Sequence, residues 1–170
     1  MRVQGFDSLE KVIDKFIIME KGSEKVFKQG LYAGAGVVAD EIKSRIESLP
    51  VQERKRTGYA PWIPYKNAKA PYDELNGITS YQKEGLINGF GIAEFRNDGG
   101  SISTAIGFDG YNSKGEPNQL IARSVESGSS IRKKHPFVRP GANASKEKAI
   151  KAVEKTITFN WAQMIKEDFG

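Results

Sequence analysis

The sequence predicts an α+β domain: N-terminal helices, a small antiparallel sheet built around a central hairpin, and a long C-terminal helix packed on that sheet. Three observations carry this. Apolar residues recur at helical spacing at both ends of the chain. A strictly alternating stretch around a tight-turn sequence lies between them, over residues 90–108. Helices and strands are segregated along the chain rather than alternating as βαβ units.

The first helix follows from Leu9, Val12, Ile13, Phe16 and Ile17, which fall on one stripe. Asp7 and Glu10 have the spacing of a capping box, so the helix is expected to start near Ser8. Gly22 and Ser23 are expected to interrupt it, with Ser23 capping a second helix over 24–48. Val26, Phe27, Leu31, Val38, Ile42 and Ile46 give that second helix its apolar face, and Pro50 closes it. Gly30, Gly34 and Gly36 lie inside it. Each costs about 1 kcal/mol relative to Ala in a helix. They serve either close approach of a neighbouring backbone or nothing beyond a softer helix.

Residues 50–84 keep neither period. Pro50, Pro61, Pro64 and Pro71 are interleaved with Tyr59, Trp62, Tyr65 and Tyr72 and with the basic run Arg54-Lys55-Arg56. A structureless loop of this length is unusual in a compact domain. Its aromatic content is unlike a disordered segment. The expectation is an extended arm or insertion that orders against a partner, with the four aromatics as subunit contacts; the competing reading folds it back on its own domain.

The hairpin is expected from Phe90, Ile92 and Glu94 alternating with Gly91, Ala93 and Phe95, the turn Asn97-Asp98-Gly99-Gly100, and the return through Ile102, Thr104, Ile106 and Phe108. A polar loop over 109–118 leads to a short strand at Leu120–Glu126. The last helix is expected over about 142–168, from Ile150, Val153, Ile157, Trp161, Met164 and Ile165.

Composition narrows the function. The chain has 170 residues, no Cys and one His, which points to a single domain over 1–170. Thiolate zinc sites and cysteine nucleophiles are excluded, and His135 alone cannot build a histidine metal cluster. His135 precedes Pro136 and has no evident partner for general-base work. Asp40-Glu41 and Asp73-Glu74 are adjacent carboxylates in settings that suit solvation. Ser127-Gly128-Ser129 lacks the Gly-Lys-Ser/Thr of a phosphate-binding loop. No enzyme, no cofactor and no metal are therefore expected. The first residues lack a secretory pattern and the longest apolar run, Phe16–Met19, is far too short to span a membrane, so folding in a cytosol is expected. The net charge of +5 fits either a solvated surface or an acidic partner. Its local concentrations are Arg54, Lys55 and Arg56, and Arg132, Lys133 and Lys134. These six are the candidate DNA-facing residues, and a nucleic-acid-binding domain built on them is the alternative function.

The most informative segment is 121–141. Pro136 and Pro140 bracket Phe137 and Val138 and fix an extended approach to the last helix. Phe137 is expected to plug the core beneath it, Gly128 to permit a sharp turn, and Glu126 to lie near the oppositely charged Arg139. Ala122, Val125-Glu126-Ser127-Gly128 and Pro136-Phe137-Val138-Arg139-Pro140, followed by a long helix, resemble the signature of a tail-component family of long-tailed bacteriophages, the tail-completion or head–tail connector proteins. The helix ending in Ala39, Ile42, Lys43 and Arg45 and the later Thr57-Gly58 resemble that family more loosely. Gly141 stands where the family usually has alanine, and 59–84 looks like an insertion. The resemblance implies a virion structural protein at the head–tail junction. It implies a homo-oligomeric ring, expected to be a hexamer, between the head connector or stopper and the tail tube or terminator. Non-specific contact with DNA in its channel would follow, and no contact with membrane.

Overall fold

The structure, a computed structural model, describes residues 6–53, 75–99, 101–130 and 132–169, with side chains from 22 to 166 within those ranges. Its described elements are α1 (Phe6–Ser48), α2 (Ser80–Gly89), β1 (Phe90–Ile92), β2 (Arg96–Asp98), β3 (Ser101–Ser103), β4 (Ile106–Phe108), α3 (Asn118–Ser127) and α4 (Val138–Phe169). The protein is α+β, as its hydrophobic patterning predicts. The side chains of the Asp7–Glu10 capping box and the first apolar stripe lie outside the described residues.

The chain divides into two compact units. One comprises residues 1–37, 94–105 and 147–170; the other comprises 38–93 and 106–146. In the first, α1 and α4 pack through small residues. A methyl group on Gly30 would stand 2.5 Å from Ile157 Cγ1, and one on Gly34 would collide with Val153 Cγ2 and stand 3.3 Å from the Ala149 carbonyl oxygen. Gly30 and Gly34 therefore serve close helix approach, whereas Gly36 has open space. Gly22 is the third member of the packed set, because a methyl there would collide with Met164 Sδ. This explains why the expected break at Gly22-Ser23 is absent and α1 continues for 43 residues. The propensity loss of one glycine is about 1 kcal/mol, and close packing against a neighbouring helix offsets it. Phe27 and Trp161 rings lie 6.4 Å apart, and Asn160 Nδ2 donates to Gln29 Oε1 at 2.8 Å. The β2–β3 hairpin belongs here, paired antiparallel with Arg96 opposite Ser103 and Gly99 at φ +63° in the turn.

The second unit holds the principal core. Ile42, Ile46, Leu49, Ile78, Leu86, Ala122, Val125 and Phe137 form one buried cluster. The β1–β4 ribbon pairs Phe90 with Phe108 and Ile92 with Ile106. Phe90, Phe108 and Val138 lie against the cluster. Three residues separate β1 from β2 but only two separate β3 from β4. The expected hairpin thus exists as two short ladders rather than one.

Three further expectations are corrected. Residues 75–84 are not arm. Leu75, Ile78, Thr79 and Gln82 are all buried, and α2 starts at Ser80. Thr79 and Gln82 have capping-box spacing, with the Thr79 N–H donating to Gln82 Oε1 at 3.4 Å. The stretch expected as a strand at 120–126 is helix α3. Its buried residues, Asn118, Ala122 and Val125, recur at helical intervals that outweigh the β-branched content. Finally, α4 begins at Val138, four residues before the expected start, for a reason that lies in the candidate site.

Candidate functional site

The site is the junction between the end of α3 and the start of α4. Val125 is fully buried, which fixes the rotation of α3 and points the next residue, Glu126, across the connection. Gly128 ends the helix at φ +78°, a conformation open to glycine and strained for other residues. The chain returns past Lys134, and the His135 N–H donates to the Val125 carbonyl at 2.8 Å. This brings Phe137 back beside Glu126.

The Glu126 carboxylate then accepts three backbone N–H groups: Phe137 at 2.7 Å, Val138 at 2.9 Å and Arg139 at 3.1 Å. The next position is Pro140, which has no N–H to satisfy. Gly141 makes the first intrahelical bond, to the Phe137 carbonyl at 3.1 Å. Every donor in the first turn of α4 is thus paired or absent, with proline where its lack of a donor does no harm. Partial burial pushes the Glu126 pKa upward. The three N–H donors, aided by the charge of Arg139, outweigh that and hold it below the ordinary carboxylate range. The expected Glu126–Arg139 proximity is real, and the hydrogen bond runs through the Arg139 backbone.

Phe137 is 1% exposed and meets the Phe108 ring edge-on at 5.9 Å. Ala122 is buried, Pro136 and Arg139 are exposed, and Pro140 is partly covered. Gly141 lies against α1, where a methyl group would stand 2.9 Å from Ile42 Cγ1. The small residue is demanded by that contact.

Arg132 requires correction as a DNA-facing residue. Its guanidinium is buried and donates to the Gly77 carbonyl at 2.8 Å and to Gln82 Oε1 at 2.7 Å. Gln82 Nε2 in turn donates to Glu116 Oε2 at 2.8 Å, as does Asn112 Nδ2. Arg132 is an internal strut that ties the 75–79 segment to α2 and the polar loop. Lys133 and Lys134 are exposed. Arg54, Lys55, Arg56, Tyr59, Trp62, Tyr65 and Tyr72 lie outside the described residues. The flanks of their segment are firmly held: the Gln52 N–H donates to the Ile78 carbonyl at 2.8 Å, and the Ile78 N–H to the Pro50 carbonyl at 3.0 Å. Glu53 Oε1 accepts from the Ser80 hydroxyl at 2.7 Å and the Ser80 N–H at 2.9 Å, which lowers its pKa. Leu75 bridges to Arg132.

Two concavities lie within this unit, and the smaller one borders the junction. A cleft of about 530 Å³ lies between α2 and the polar loop, lined by Tyr81, Asn88, Asp109, Tyr111 and Asn112 among others. A smaller apolar groove of about 270 Å³ runs along β4, with Arg123 and Arg139 at its border. Neither was legible in the sequence, because each joins residues from three or more segments. Among the described residues no three His, Asp or Glu side chains gather as a metal site, and no helix is long and apolar enough to cross a membrane. At the junction itself a carboxylate fixes a helix start. No protein-family model matches the chain, and no curated protein or solved structure was found to match it.

Proposed function

We propose that this chain is a virion structural subunit of the head–tail junction of a long-tailed bacteriophage, a ring-forming tail-completion or connector protein. The observation that carries the reading is the resemblance of Ala122, Val125-Glu126-Ser127-Gly128 and Pro136-Phe137-Val138-Arg139-Pro140 to that family's signature, with Arg123 and Ser124 departing from it. The geometry supplies a physical reason for the pattern. Glu126 of the Val-Glu-x-Gly half caps the helix that the Pro-Phe-x-x-Pro half begins, so the two halves work as one device.

In this reading residues 54–74 reach a neighbouring subunit, and their flanks are clamped so that contact force passes into the core. The ring closes by heterologous, head-to-tail contacts, with six subunits expected. Lys133, Lys134 and the Arg54–Arg56 run face the channel, where phosphate contact holds DNA without reading its sequence. Deletion of 54–74 in the phage should leave a folded subunit, filled heads and separate tails, seen by electron microscopy of lysates. Normal tailed particles from that deletion would sink the proposal.

A further inference from the structure

We propose that the outward face of α4 is a track for double-stranded DNA, held by its phosphates. The inference rests on the channel contact of the reading above and gives that contact a surface.

Lys148, Lys151, Lys155, Phe159, Ala162 and Lys166 follow one another at intervals of three or four residues. In a helix that spacing sets them in one row along one face. All six are exposed. The other side of α4, with Ala149, Val153, Ile157 and Met164, is turned to α1. At 1.5 Å per residue the row runs about 27 Å from Lys148 to Lys166. None of its four lysines joins an ion pair among the described residues, where the two ion pairs are Lys28–Glu24 and Arg45–Glu41. Glu147 and Glu154 lie off the row, on its flank, and neither closes on a lysine. Within the same unit, Lys25, Gln29, Asn160 and Gln163 line a concavity of about 410 Å³ beside the end of the row. They add amide groups and one more ammonium, and no carboxylate lines it.

The chemistry of the row selects its partner. Protein–protein contacts are poor in lysine and rich in aromatic anchors, and Phe159 is the one aromatic side chain in the row. A helix lying on a membrane needs an apolar face on the side it presents; the apolar side of α4 faces α1. A single-strand track sets aromatic platforms among its cations for successive bases, more than Phe159 supplies. A duplex asks only for positive charge in a line. Its phosphates recur about every 3.4 Å along each strand, so about 27 Å of helix faces about eight of them. Ammonium groups on flexible stems meet phosphates as point charges. Such contacts hold a duplex without reading its sequence.

The test is fluorescence anisotropy of a labelled duplex two helical turns long, titrated with the full chain over a range of salt. Binding that weakens steeply with salt is expected. Lys148→Gln, Lys151→Gln, Lys155→Gln and Lys166→Gln together keep helix propensity, so circular dichroism should be unchanged. They should weaken low-salt binding by about tenfold or more and reduce the slope of log affinity against log salt by about 3–4. Lys43→Gln, Arg96→Gln, Lys114→Gln and Arg123→Gln together remove as much charge at exposed sites elsewhere and should keep the wild-type slope. Equal losses in the two variants would mean that net charge alone attracts the duplex, which overturns the track. A single strand, or polyglutamate of matched charge, that competes as well as unlabelled duplex overturns the duplex assignment. Loss with Lys133→Gln and Lys134→Gln but not with the α4 variant overturns the track and leaves the channel reading. A wild type that binds no duplex overturns the track, while the 54–74 deletion decides the head–tail reading separately.

Discussion

The two units are stabilised in different ways. The unit around the α3–α4 junction buries large apolar side chains from α1, α2, α3 and the approach to α4 in one cluster, with Ile46, Ile78, Leu86, Val125 and Phe137 at 1% exposure or less. The helix-pair unit has Val26 and Ala149 as its buried apolar residues among those described, and it leaves Phe27, Tyr32, Ile150, Phe159 and Ile165 substantially exposed. It relies on the approach of two helix backbones across Gly30 and Gly34, with the Met164 side chain lying over Gly22. One unit is held by volume filled and the other by space withheld. Substitutions should therefore act with opposite logic: removing atoms damages the first, and adding them damages the second.

The largest expected effect is at Phe137. Phe137→Ala should cost about 3–5 kcal/mol, the range for emptying a buried aromatic site, read as a lowered urea midpoint. Amide exchange should show the loss in α3 and the start of α4 more than in the β2–β3 hairpin. A loss below about 1 kcal/mol, less than a buried aromatic truncation gives, would mean that this cluster does not carry the unit.

Next comes Glu126. Glu126→Ala leaves three N–H groups without their acceptor and should cost about 1–2 kcal/mol, as for a lost N-cap. The pH dependence has a definite sign. The native pKa lies below the unfolded value, so the carboxylate's contribution is fully present above the ordinary Glu range of about 4.3. It fades as pH falls through the lowered native value. Wild type and Glu126→Gln should thus differ most near neutrality and converge in acid. A difference that grows on acidification would refute the assignment of the ionised carboxylate as cap.

The smallest effects give the clearest contrast of sign. Gly36→Ala meets open space in a helix and should stabilise by about 0.5–1 kcal/mol. Gly34→Ala gains the same propensity but forces a methyl group onto Val153 and the Ala149 carbonyl, a steric cost of about 1–3 kcal/mol. It should come out neutral or destabilising. Equal stabilisation by both, measured by thermal melting, would remove the argument that glycine sets the helix approach.

Part of the candidate site was legible because it is local. Phe137 between Pro136 and Pro140, and Gly128 at a sharp turn after a short element, each announce a backbone constraint. Glu126 was visible as a charge near Arg139, but its partners are N–H groups eleven to thirteen residues away, and backbone donors have no letter in a sequence. Arg132 misled for a related reason. It sits beside Lys133 and Lys134 in the chain, yet its guanidinium finds acceptors on Gly77 and Gln82, 55 and 50 residues upstream. Residues 75–84 lack a long apolar period because α2 buries only Gln82, Gly85 and Leu86 in ten residues.

The sequence by itself determined the α+β class, the hairpin turn, the helical ends and the conformation-bearing residues of the junction, because periodicity, proline and glycine act within a few residues. Only the tertiary structure decided that α1 passes through Gly22, that 120–126 is helical, and that α4 starts at Val138. It also decided that Arg132 is internal. Each of these depends on an atom brought near by folding: Met164 over Gly22, the core under Val125, the Glu126 carboxylate at the helix start and the Gly77 carbonyl at the guanidinium. Local propensities differ by about 1 kcal/mol, and a well-placed contact of that size or larger reverses them.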